Sequence, residues 1–181
     1  MSRILLVKTS SIGDVLQVLD IVQQIKKAFA DSEIAWVVEK AGYPLVQASP
    51  WVKEAFLFDF KSWRQKGFWR GRPPFWQFVK KLRAQHYDYV FDLQGNCKSA
   101  LVTFLARGRQ KIGWSAAFVA EWPNLLATRY RYAPADAAQN IRGQYLSLFE
   151  QHWHKPLAVS LNLKKKRRIW YPGMRIMVGM H

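Results

Sequence analysis

Cysteine is almost absent from this chain. Cys97 stands alone among 181 residues, which excludes a disulfide framework or a thiolate metal cluster and reads as a cytoplasmic protein. Acidic residues are scarce, with 12 Asp and Glu against 28 Lys and Arg. No apolar run reaches the length of a membrane span. Arg3 is followed by only four apolar residues before Lys8, which is not a signal-peptide pattern. The histidines (His86, His152, His154, His181) form no H-E-x-x-H pattern, so no metal or cofactor is assigned. Neither G-x-x-x-x-G-K-[ST] nor G-x-G-x-x-G occurs, so a nucleotide-phosphate loop of those two kinds is not expected. No internal repeat is present. The length suggests one domain with a short addition, and 50% hydrophobic residues suffice for a buried core.

What is present concentrates at residues 4–16. Ile4 to Val7 is a short apolar run of the kind found in a parallel strand buried on both faces. Thr9-Ser10-Ser11 and Gly13-Asp14 follow at once. Then Val15, Leu16, Val18, Leu19, Val22, Ile25 and Phe29 recur at helical spacing. A strand turning straight into a helix places this loop at the carboxyl end of a sheet, where open α/β folds bind their ligands. Hydroxyls, free N–H groups, a close-approach glycine and a carboxylate together form an active-site inventory. Taken singly, Ser10, Ser11 and Asp14 read equally well as helix-start residues.

The remaining pattern alternates strands with helices. It predicts strands at 3–7, 34–39, 55–58, 88–92 and 111–113. Helices are predicted at 14–29, 43–48, from Pro73-Pro74 to about Gln85, at 97–106 and at 138–150, with a basic loop after the third strand. This indicates an α/β fold with a doubly wound, Rossmann-like parallel sheet. Asp92-Leu93-Gln94-Gly95, with Lys98-Ser99, brings a second polar loop to the edge that carries Asp14. Gln94 or Asn96 could bond sugar hydroxyls and Lys98 a carboxylate or phosphate. Asp92 reads equally as a turn cap, and Gly95 as a conformational residue.

The net charge of +16 attracts polyanions. Between Phe60 and Tyr87 lie eight Lys or Arg residues, among them Lys61, Arg64 and Lys66, with no Asp or Glu. Aromatics are interleaved, and the mixture suits an anionic bilayer surface. It would also suit single-stranded nucleic acid. Singly, Trp63, Trp69 and Trp76 read as partly core residues. No RRM, KH or helix-turn-helix signature accompanies the basic region.

Val7 to Leu16 resembles the opening of the family 9 glycosyltransferases, the lipopolysaccharide heptosyltransferases. Trp36-Val37-Val38-Glu39 is similar to that family's second strand. Asp92-Leu93-Gln94-Gly95 with Lys98-Ser99-Ala100 resembles its D-x-Q-G-x-x-K-S-A stretch. The match runs over roughly the first 150 residues. It implies the amino-terminal, acceptor-binding half of a two-domain GT-B enzyme that transfers heptose from ADP-heptose to Kdo-lipid A, working at the cytoplasmic face of the inner membrane. Asp14 is then the general base that takes a proton from the acceptor hydroxyl as ADP leaves. A helix amino terminus stabilises that carboxylate, so it works mostly by position. Thr9, Ser10, Ser11, Gly13, Gln94, Gly95 and Lys98 line the acceptor site, and Lys61, Arg64 and Lys66 grip acceptor carboxylates and phosphates. The family often carries an arginine before the glutamate that aligns with Glu121; here the residue is Ala120. The anionic membrane surface is the expected partner; nucleic-acid binding is the alternative and the less expected.

Residues 1–160 are expected to form this acceptor-binding domain. Lys164-Lys165-Lys166-Arg167-Arg168 opens a different text that resembles no donor-site motif of the family. A donor domain cannot be built from the few residues after 160. Residues 161–181 are therefore expected to be a basic tail or a truncated or frame-shifted linker, and the chain alone to be inactive.

Overall fold

A strand that reads Ile-Leu-Leu-Val has no wet face, so it must lie in the middle of a sheet covered on both sides. The computed structural model, which describes residues 1–66, 73–136 and 140–157, places it there. Six parallel strands lie in the order β3-β2-β1-β4-β5-β6. They are β1 (Arg3–Val7), β2 (Glu33–Val38), β3 (Glu54–Leu57), β4 (Tyr87–Asp92), β5 (Gly108–Trp114) and β6 (Tyr130–Tyr132). Ile4 pairs with Ile34 on one side and Tyr89 on the other. The chain winds outward from β1 to β3, returns to β4 beside β1, and winds outward again. The order therefore reverses between the carboxyl ends of β1 and β4, where a doubly wound fold opens a crevice.

Alternation along the strands separates two cores. Ile4 and Leu6 join Trp36, Phe91 and Ile112 on the face covered by α1 (Ile12–Ala28), α2 (Tyr43–Gln47) and α6 (Ile141–Trp153). Leu5 and Val7 join Val37, Phe56 and Val90 on the other face. There α3 (Phe60–Lys66), α4 (Pro73–Arg83) and α5 (Cys97–Leu105) cover them with Trp63, Phe78, Leu82 and Val102. Each large apolar side chain buried in this way contributes roughly 1.5–3 kcal/mol. Trp36 is fully buried, and its indole N–H donates to the Lys8 carbonyl at 3.0 Å, fixing the chain where it leaves β1.

Several element boundaries differ from the sequence reading. α1 begins at Ile12 rather than 14, with Ser11 at its cap and Asp14 in its first turn. Residues 60–66, read as part of a basic loop, form α3. Asp59 accepts from the Ser62 N–H at 3.3 Å at its start, and Trp63 packs edge-on against Phe58. One buried face amid charges left too little periodicity to reveal that helix. β5 runs from Gly108 rather than 111, because the polar Arg109, Gln110 and Lys111 occupy its first turns of pleat. β6 was missed; Tyr-Arg-Tyr is three residues long and half exposed. α6 is shifted to 141–153, where the Asn140 side chain accepts from the Gly143 N–H at 2.9 Å. Trp63 is core, whereas Trp76 is exposed. Phe68, Trp69 and the segment 161–181 lie outside the described residues. No described helix is long and apolar enough to cross a membrane.

His152 on α6 ties that helix to the sheet edge. Its Nδ1 lies 3.1 Å from the Tyr132 hydroxyl and its Nε2 2.7 Å from Gln110 Oε1. Burial, and then the neighbouring His154, hold its pKa below the ordinary histidine value. The unfolded chain therefore binds the proton more readily. Stability is full above the unfolded histidine pKa near 6.5 and falls as pH drops through the lower folded value. We expect thermal midpoints recorded from pH 7.5 to 5 to fall more steeply for the wild type than for His152→Gln. Parallel curves would rule out this linkage.

Candidate active site

The β1–α1 connection delivers its polar groups to the switch point in a fixed order. Thr9 is buried, Ser10 partly so, and Ser11 to Gly13 are exposed. A Cβ on Gly13 would meet nothing within 4 Å, so the helix start there borders open space rather than protein. Asp14 turns back on the loop, and three contacts converge on its Oδ2. They come from the Ser11 N–H at 3.3 Å, the Ser11 hydroxyl at 3.4 Å and the Lys8 ammonium at 3.0 Å. No hydrogen bond reaches Oδ1 from the described residues. The carboxylate is 27% exposed, while the Lys8 side chain is 4% exposed.

Lys8 continues the alternation of Ile4 and Leu6, which turns it toward the face of α1 and α6. Its ammonium lies 5.1 Å from the centre of the Tyr145 ring. Burial lowers its pKa; the hydrogen bond and charge of Asp14, and then the charge of Asp92, oppose that. Burial pushes the Tyr145 phenol upward, and the Asp14 charge adds to this. The Lys8 and Asp14 side chains form a close pair, Nζ to Oδ2 at 3.0 Å.

The β4–α5 loop forms the second wall. Asp92 is fully buried and accepts from Gln94 N–H at 3.0 Å, Gly95 N–H at 2.9 Å, the Thr103 hydroxyl at 3.0 Å and Asn124 Nδ2 at 2.6 Å. Burial pushes this carboxyl up, and the hydrogen bonds pull against it. The turn it holds passes through Gly95 at φ 73, where a side chain would also crowd Trp114 at 3.2 Å. Gln94 then reaches across the crevice. Its Oε1 accepts from the Ser10 N–H at 3.2 Å and lies 3.5 Å from the Thr9 hydroxyl. The two loops are thus one unit.

Lys98 opens α5 and pairs with Glu39 at the end of β2 at 3.0 Å, with its ammonium 5.8 Å from the Phe60 ring centre. This places the start of α3 beside the crevice. Lys61 and Arg64 project from α3 into solvent and are unpaired among the described residues. Lys66 ends that helix, and its side chain lies outside the described part. Ala120 is exposed next to the Gly95 turn, and Glu121 accepts from the Cys97 N–H at 2.9 Å, capping α5.

The structure adds four residues that the sequence did not single out as site residues. Lys8 and Tyr145 back Asp14, Asn124 completes the Asp92 cluster, and Glu39 holds Lys98. Alternation along β1 was a usable signal for Lys8. Asn124 and Tyr145 come from elements far along the chain from their partners Asp92 and Lys8, with no local signal.

Comparison with known proteins agrees with this geometry. Lipopolysaccharide heptosyltransferase 1 of Escherichia coli is 35% identical over 120 residues, which cover 64% of this chain and 37% of that protein. The enzyme of the same name from Pseudomonas aeruginosa is 36% identical over 103 residues, 56% of this chain and 29% of its own. The solved structure of E. coli heptosyltransferase WaaC with ADP-2-deoxy-2-fluoro heptose superposes with a TM-score of 0.76 at 29% identity. It covers 86% of this chain and 50% of that one. The chain thus spans about a third of the length of these curated relatives. Residues 75–168 match the model of glycosyltransferase family 9 (heptosyltransferase), more than half of the sequence. With its parallel Rossmann-like sheet, the chain belongs to glycosyltransferase family 9.

Proposed function

We propose that this chain is the acceptor-binding half of a lipopolysaccharide core heptosyltransferase, with residues 1–160 as the functional unit. In the intact enzyme it takes a Kdo-lipid A acceptor, and heptose arrives from ADP-heptose held across the cleft. The observation that carries this reading is the convergence of Asp14, Gln94 and the Thr9–Ser11 loop at the switch point. Asp14 acts as general base on the acceptor hydroxyl. Gln94 spends its Oε1 on tying the loops and leaves its NH₂ for sugar hydroxyls. Thr9 and Gly95 shape the loops, whereas Ser10, Ser11 and the open space over Gly13 face the acceptor. Direct displacement with inversion follows, because one base suffices and no enzyme nucleophile is needed.

Lys61, Arg64 and Lys66 then meet acceptor phosphates and carboxylates on the cytoplasmic side of the inner membrane. The full chain is expected to bind vesicles containing Kdo-lipid A, and added salt should weaken that binding. Replacing the three together by alanine should weaken it on the order of a hundredfold, from about 1 kcal/mol per cation at a membrane surface. Equal binding by mutant and wild type at low salt would remove these residues from the acceptor site. Tighter binding to single-stranded RNA than to the vesicles would favour a nucleic-acid role instead.

A further inference from the structure

A buried ammonium is costly. Pairing Lys8 with a single carboxylate roughly breaks even at best against an apolar side chain of the same size. The first turn of α1 does not need it, because Ser11 already supplies contacts to Asp14. Nor does the core, since the same aliphatic stem is available in methionine. What Lys8 adds is a third contact on one particular oxygen. All three contacts that the described residues make to this carboxylate fall on Asp14 Oδ2. The donor that fixes them is itself fixed: Trp36 holds the Lys8 carbonyl at 3.0 Å, and the Tyr145 ring faces the ammonium.

We propose that Lys8 is the positioning residue of this site: it locks the Asp14 carboxylate by Oδ2 so that Oδ1 is the oxygen presented to the acceptor hydroxyl. The inference rests on the reading of Asp14 as the base. It extends that reading by saying which group aims the base and which oxygen receives the proton. The proton passes from the acceptor oxygen to Oδ1 as that oxygen forms its bond to the anomeric carbon and the bond to ADP breaks. Lys8 keeps its protons throughout. The groups around the ammonium are Asp14 from α1, Tyr145 from α6 and, at longer range, Asp92 from β4. Among the described residues only Asp14 is within hydrogen-bond reach, so the lock has one partner there.

The test needs no sugar and uses the full chain. Three-bond couplings of Asp14 should show one χ1 rotamer in the wild type and an averaged mixture in Lys8→Met, a change that a merely space-filling lysine would not cause. Reciprocally, Asp14→Asn should lower the proton affinity of the Lys8 ammonium about tenfold or more, read by NMR titration at Nζ. A single Asp14 rotamer retained in Lys8→Met overturns the proposal, and so does a Lys8 titration unchanged in Asp14→Asn. Should Lys8→Met fail to fold, the Asp14→Asn arm decides alone. Either negative result leaves the base assignment of Asp14 standing, since that is read separately by heptose transfer.

Discussion

Replacing Asp14 by alanine, in a transferase that contains this half intact, is expected to lower heptose transfer by about a hundred- to ten-thousandfold, the usual worth of a positioned general base. The apparent acceptor KM should change little, since Thr9, Ser10, Gln94 and the α3 cations remain. Helix capping alone would put the stability cost at about 0.5–2 kcal/mol. The structure raises that expectation, because alanine strands the nearly buried Lys8 ammonium. Losing a charge-assisted hydrogen bond of this kind costs about 1.5–3 kcal/mol. Asp14→Asn separates the two effects: its amide oxygen still accepts from Lys8 and Ser11, so folding is spared while the base is gone. If Asp14→Asn transfers heptose within a few-fold of wild type, Asp14 is a helix-start residue and another group removes the proton.

The two carboxylates of the crevice divide the work by environment. Asp14 is partly exposed, held at one oxygen and open at the other. Asp92 is sealed, with both oxygens engaged by donors from the chain. Four residues from three elements are needed to satisfy it. Their common effect is to set the Gln94–Gly95 turn, and Gln94 in turn sets the Ser10 end of the first loop. The chain of contacts therefore runs from the buried Asp92 carboxyl outward to the Thr9–Ser11 loop. Lys8 adds a second support, from the strand side, so the Asp14 side chain is braced by both β1 and, through Gln94, β4.

Much of this could be read before folding. Ile4–Val7 has no polar alternation and is β-branched at both ends, which fits a strand buried on both faces; the change to helical spacing after Gly13 then puts Asp14 at the carboxyl edge. Asp92-Leu93-Gln94-Gly95 repeats the logic one crossover later. What sequence pattern could not supply were partners set by the winding of the sheet. Asn124 reaches Asp92 because β5 returns beside β4, and Tyr145 reaches Lys8 because α6 folds back over α1. Those are consequences of topology, not of local period. Short or polar edge elements, β6 and the start of β5, also escaped, since their hydrogen bonds rather than their side chains define them. The basic helix α3 escaped for the opposite reason: its charges masked a single buried stripe at Trp63.

Asp92→Asn should be among the most damaging single-atom changes available in this domain, although it preserves shape. The carboxylate accepts from donors on every side: two backbone N–H groups, a threonine hydroxyl and the Asn124 amide. An amide offers one oxygen. Whichever way it is turned, its NH₂ must face either the Gln94 and Gly95 N–H groups or the Thr103 and Asn124 donors. Asn124 cannot turn over without loss, since its NH₂ also donates to the Asn96 carbonyl at 3.2 Å. Each buried donor left unsatisfied costs about 1–3 kcal/mol, so a loss of about 3 kcal/mol is expected. That is a large share of the margin of an ordinary domain. Urea unfolding should show a lower midpoint with an unchanged slope. The folded fraction should also transfer poorly once the donor half is present, because a slackened Gly95 turn releases Gln94 from Ser10. A midpoint equal to wild type would mean that the Asp92 cluster does not hold the turn, and the link from core to reacting edge would be lost with it.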